Sequence, residues 1–139
     1  MATTTAQITL TSTDIADNAL SISNTMTLTT AGTETGITET TGLARKKVAS
    51  ASLADLITVA NTDVTAAKSA KVYIKNTSTA TDKYGLIGIG DSSGTPIYIG
   101  RLYGGDWMLI PWDANSGEDI TLTMSDSTET IIEYMVFFE

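Results

Sequence analysis

The chain has no cysteine, no histidine, only 2 prolines, and aromatic residues at 6% of its 139 positions. Each shortage removes a class of protein. Without cysteine there is no disulfide framework and no thiolate to hold a metal, and without histidine zinc, copper and haem also lose their usual ligands. Histidine and cysteine are also among the side chains enzymes use most for acid-base and nucleophilic work, so no cofactor is expected and catalysis is disfavoured. Positive charge is scarce too: 8 basic residues against 16 acidic ones give a net charge of −8. That balance repels phosphates and anionic headgroups, which argues against nucleic acid or a membrane as partner. No apolar run approaches the ~18 residues of a membrane span. The opening MATTTAQITLTSTD has neither the basic nor the apolar region of a signal peptide, so a soluble chain is expected.

What remains is a series of short alternating segments divided by turn residues. From Lys71 the order is KVYIKN, YGLIGIG, PIYIGRL, DWMLIPW, DITLTM and TIIEYMVFFE. Val72 and Ile74 alternate with Tyr73 and Lys75, the period of a strand with one buried face. Asn76–Asp82, NTSTATD, is turn-rich, and a hairpin to Tyr84–Ile89 is expected across it. Gly85, Gly88 and Gly90 thin that second strand, which points to a bulge or a close backbone approach. Asp91–Gly94 and Tyr103–Asp106 read as turns, and Pro111 has no N–H for a ladder, so its strand ends there or lies at an edge. Helix competes with strand only over SLADLITV: Ser52 can cap, and Leu53, Leu56 and Ile57 have helical spacing. The β-branched Thr58 and Val59 tip the reading to strand. In all about eight to ten strands are expected, antiparallel, in an all-β fold of sandwich type, jelly-roll-like.

Residues 1–42 have a different texture, rich in threonine and serine and poor in charge. AQITLTS and LSISNTMTLTT alternate with period two, through Ile8 and Leu10, then Leu20, Ile22, Met26 and Leu28. Asp14, Asp17 and Asn18 supply a turn between them. The following AGTETGITETTG has little to bury and needs another surface to order it. We read 1–42 as an extended arm or strand-exchange segment, and 43–139 as the sandwich domain.

Candidate functional residues are few. Arg45, Lys46 and Lys47 form the one basic cluster, before which no basic residue occurs and after Arg101 none again. Two acidic ends around a basic middle could steer copies together, although short charge runs are commonly only solvated faces. Trp107 and Trp112 fall on opposite faces of one regular strand, so one is expected in the core and the other at a subunit or ligand contact. With Tyr98, Tyr103 and Tyr134 they also suggest a platform on which a sugar ring could stack, and Trp and Tyr are equally the usual anchors of protein contacts. Glu118 with Asp119 and Glu129 with Glu133 are carboxylate pairs without a reason to converge across a cleft. Asp91–Gly94 and Asp113–Asp119 are oxygen-rich, as calcium requires, yet neither has EF-hand spacing and both have the composition of ordinary turns.

Three stretches together resemble small virion structural proteins of tailed bacteriophages, of the marine and cyanophage type. They are ITLTSTDIADNALSIS leading into GLARKKV, then KVYIKNTST with its loop and second strand, then DWMLIPW with the closing IIEYMVFFE. The resemblance covers most of the chain and rests on texture and order. It implies a non-enzymatic protein in many copies, most often a trimeric capsid decoration (cement) protein, with tail, neck and fibre components as alternatives. The implied partners are the major capsid protein or other virion proteins, and the implied location is the virion, assembled in the host cytoplasm. On that reading Arg45, Lys46 and Lys47 contact an acidic shell surface, and Tyr103, Trp107 and Trp112 are core or interface anchors.

Overall fold

The structure is a computed structural model that describes residues 4–14, 20–28, 37, 39–49, 51–62, 64 and 70–138. Strands take up about 59% of these, with no α-helix among them. Eleven strands occur among the described residues: β1 (Thr5–Ser12), β2 (Leu20–Thr27), β3 (Glu39–Thr40), β4 (Ala44–Val48), β5 (Ala54–Ile57), β6 (Ala70–Asn76), β7 (Tyr84–Ile89), β8 (Ile97–Tyr103), β9 (Trp107–Trp112), β10 (Ile120–Met124) and β11 (Thr130–Phe138). Every pairing is antiparallel. SLADLITV is divided: Ala54–Ile57 is a strand, and Val59–Asn61 closes it with one turn of 3-10 helix.

The pairings are nested. β7 pairs with β8, β6 with β9, β5 with β10 and β4 with β11, as if one long hairpin had been folded over on itself. β10 also pairs with β7, and β11 with β6, which produces two sheets of order β5-β10-β7-β8 and β4-β11-β6-β9. β3 extends the β4 position, pairing Thr40 with Phe137. Period-two patterning turns one face of each sheet inward: Val72 and Ile74, Ile132 and Val136 from one, Ile87, Ile120 and Leu122 from the other. These side chains belong to a single buried cluster. Each fully buried aliphatic side chain contributes about 1.5–3 kcal/mol relative to exposure.

The expected hairpin across NTSTATD does not form. β6 and β7 lie in different sheets, so this loop is an arch from one to the other. Asn76, fully buried, explains why: its Nδ2 donates to the Leu102 carbonyl of the opposite sheet at 3.0 Å, and its Oδ1 accepts from the Ser78 N–H at 3.0 Å. These two bonds satisfy its amide where the chain crosses from one sheet to the other. Tyr103–Asp106 is the matching arch from β8 to β9, closed by the Asp106 N–H donating to the Tyr103 carbonyl at 3.0 Å. Gly104 is required there because a Cβ would stand 2.3 Å from the Ala80 carbonyl oxygen. The glycine-thinned strand carries the expected irregularity, a register shift at Ile87/Gly88 opposite β8. Pro111 lies on β9, an edge strand, with its missing N–H where no ladder needs it.

β1 and β2 form a separate two-stranded ribbon, paired from Thr5↔Thr27 to Ser12↔Leu20. At its base the Leu28 N–H donates to the Thr4 carbonyl at 2.7 Å, and Leu28 is buried beside the outward face of β6, β9 and β11. Asp17, Asn18 and residues 29–36, read above as turn and glycine-rich connection, lie outside the described residues.

Candidate functional site

The basic cluster occupies β4, where alternation divides it. Arg45 stands opposite Glu133 in the β11 register and its Nε meets that carboxylate at 2.9 Å. Lys47 points the same way and pairs with Glu129 at 2.7 Å. Lys46 points the other way and donates to the Asp55 carbonyl of β5 at 2.6 Å, spanning the mouth of a groove between the two sheets. All three are exposed, and all three already have partners in the chain. Exposed pairs of this kind contribute about 0–1 kcal/mol each, and a partner must compete with them to recruit the charge.

The aromatic residues named from the sequence do not share a face. Trp112 is 3% exposed in the core and its indole N–H donates to the Glu118 carbonyl at 2.7 Å. Trp107, five residues earlier on the opposite face, is 48% exposed and lies 6.4 Å from the Tyr73 ring. Burial, and secondarily the charge of Glu133, raises the Tyr73 hydroxyl above its ordinary 10.0, so it stays protonated. Tyr134 packs against the core. Tyr103 is on the other sheet, 5.2 Å from Tyr84, with the Arg101 guanidinium 4.6 Å above the Tyr84 ring.

Two apolar surfaces stand open among the described residues. On the ribbon, Ile8 (46%) and Leu10 (49%) of β1 share one face with Ile22 and Met26 of β2, all exposed, and neither strand contains an ionisable residue. Between this ribbon and β9 runs an open groove of about 810 Å³, its apolar walls including Ile8, Leu10, Met26, Trp107 and Leu109. The second surface is β8, an edge strand with β7 as its one neighbour. Ile97 is 79% exposed there, with Tyr98 and Ile99 beside it. Apolar alternation was the available signal for both, without any charge on the ribbon and with Arg101 alone on β8.

The carboxylates are engaged locally. Asp119 accepts the Val59 N–H at 2.8 Å, Asp55 accepts from Ser92 at 2.9 and 2.7 Å, and Asp126 pairs with Lys83. Asp91 accepts the Ser93 N–H at 2.6 Å, which holds its carboxyl below the ordinary range. Among the described residues no three acidic groups converge as a metal site would need. No helix among them is long and apolar enough to cross a membrane. No family model, no curated protein and no solved structure matches the chain, so its role has to be argued from these surfaces.

Proposed function

We propose that this is a non-enzymatic virion structural protein of a tailed phage, a capsid decoration or cement protein that stabilises the head through β contacts between subunits. The observation that carries this reading is the ribbon: two strands without charge, joined at the base by the Leu28–Thr4 hydrogen bond, with an apolar face open among the described residues. A two-stranded ribbon is marginal alone and gains stability from a third surface. A protein present in many copies has that surface on its neighbours, and weak contacts then sum over a lattice. The proposed fold agrees with the role. The proposed jelly-roll sandwich, an architecture found in capsid and lectin domains, is supported by the nesting of eight strands as β4–β11, β5–β10, β6–β9 and β7–β8 around one core. The proposed assembly is a homotrimer seated on the major capsid protein or another virion protein.

Antibody labelling of particles tests the location: label spread over the head supports decoration, and label confined to neck, tail or fibre tips overturns it. Reversing the charges of Arg45, Lys46 and Lys47 to glutamate is expected to reduce incorporation into particles several-fold. Unchanged incorporation removes β4 as the shell contact. A second reading, a carbohydrate or receptor-binding module, is favoured by the Tyr84–Tyr103 pair beneath Arg101 on an open face. Glycan-array binding that is lost in Tyr103→Ala would establish it.

A further inference from the structure

We propose that the groove between the two sheets, beside β4 and β5, binds a small carboxylate-bearing molecule the size of a single sugar acid, through the Lys46 ammonium. The site goes beyond the virion reading and does not depend on it, because neither Arg45 nor Lys47 lines it. Its volume is about 330 Å³, within the range of about 300–1,000 Å³ usual for small-ligand pockets. Leu56, Ile57 and Val136 supply apolar wall, and Thr58, Asn61 and Tyr134 supply polar groups beside them. A few polar groups set among apolar ones are what orients a small ligand.

Charge selects the carboxylate. An ammonium has three N–H donors, and Lys46 uses one of them, on the Asp55 carbonyl at 2.6 Å. Among the described residues no carboxylate pairs with it, whereas Arg45 and Lys47, on the opposite face of β4, are neutralised by Glu133 and Glu129. Asp55, the one carboxylate lining the groove among the described residues, does not compete: its two oxygens accept from Ser92 at 2.9 and 2.7 Å. The chain's net charge of −8 comes from residues outside the groove, whose own Lys46 and Asp55 cancel, and exposed charges beyond about 8 Å are largely screened at physiological salt. Thr58 adds an independent observation. Its hydroxyl is buried without a hydrogen-bond partner among the described residues, which destabilises the chain as it stands. A turn about Cα–Cβ exchanges that hydroxyl with the methyl group and lets a ligand oxygen pair with it.

Nuclear magnetic resonance titration of the isotope-labelled full-length chain tests the site, with glucuronate, galacturonate and malate as probes and glucose as the uncharged control. At least one of the acids is expected to move the amide signals of Ala44, Lys46, Leu56 and Thr58 to saturation, and glucose is not. Lys46→Gln keeps a donor and removes the charge, and should weaken that acid at least about tenfold. Thr58→Val should weaken it several-fold while leaving the free chain as stable in urea or more so, because the variant removes an unpaired group. A merely structural Thr58 would change stability and leave binding as it was. No saturable shift from any acid, an equal response to glucose, or undiminished binding in Lys46→Gln overturns the site. The same shifts produced by inorganic sulfate at the same concentration overturn it as well, since a bare anion contact then accounts for them.

Discussion

The ribbon and the body are made of strands of similar length and the same period-two alternation, yet the body covers its apolar face and the ribbon does not. Ile74 and Ile132 in the middle of the body are fully buried, whereas Ile8, Leu10, Ile22 and Met26 stay open to solvent. Their polar faces differ as well. β6 and β11 carry Lys71, Lys75 and Glu133 outward, and the polar face of β1 and β2 carries only threonine, serine and glutamine. Charged outward positions keep their part of a face in water, and the outward face of β6 and β11 is covered where Leu28 meets Tyr73, Met135 and Phe137; hydroxyl-bearing positions carry no such cost. The contrast teaches that alternation specifies which face is to be covered, while charge restricts what can cover the other.

The comparison can be broken most sharply by truncation. Ile74→Ala should cost about 3–4 kcal/mol in urea unfolding, and Ile8→Ala under about 1 kcal/mol in the isolated chain. Equal losses would show the ribbon to be part of the body's cooperative core. The arches offer the next largest effect. Gly104→Ala drives a methyl into the Ala80 and Ser78 carbonyls and should cost about 1–3 kcal/mol, whereas Gly100→Ala on the edge strand, where a Cβ meets nothing, should be close to neutral. Asn76→Ala leaves the buried ends of its hydrogen bonds unpaired and should cost about 2 kcal/mol, with the sheets' crossing as the weak point in hydrogen exchange.

The smallest effect concerns acid. The Lys83 hydrogen bond, supported by the Thr128 N–H, holds the Asp126 carboxyl below its ordinary 3.8. A depressed folded-state value means stability that is present above 3.8 and is lost as pH falls through the folded value. Asp126→Asn should therefore lower the urea midpoint slightly at neutral pH and leave it unchanged in strong acid. A loss that persists in acid would show the side chain to act through packing instead.

Much of the body was readable in advance. Val72 and Ile74 turn inward, Trp107 and Trp112 part to opposite faces, Pro111 falls on an edge, and the Gly88 segment is irregular, because each depends on local backbone geometry. Partners were another matter. NTSTATD has the composition of a hairpin loop, and only the buried Asn76 hydrogen bond to Leu102 makes it an arch. Lys46 and Arg45 look equivalent in sequence, and the register with β11 sends one across to the other sheet and the other to Glu133, 88 residues away.

By itself, then, the sequence determined an all-β chain, its strand faces, its lack of histidine and cysteine, and a ribbon unlike the rest. Only the tertiary structure decided the nested pairing, the partnered state of the basic cluster, and the placing of an open groove beside β9 and an exposed edge at β8. The physical reason is range. A strand's face follows from a two-residue repeat within it, but in a nested fold β4 finds its partner at the far end of the chain, through packing and loop closure that no short stretch of sequence encodes.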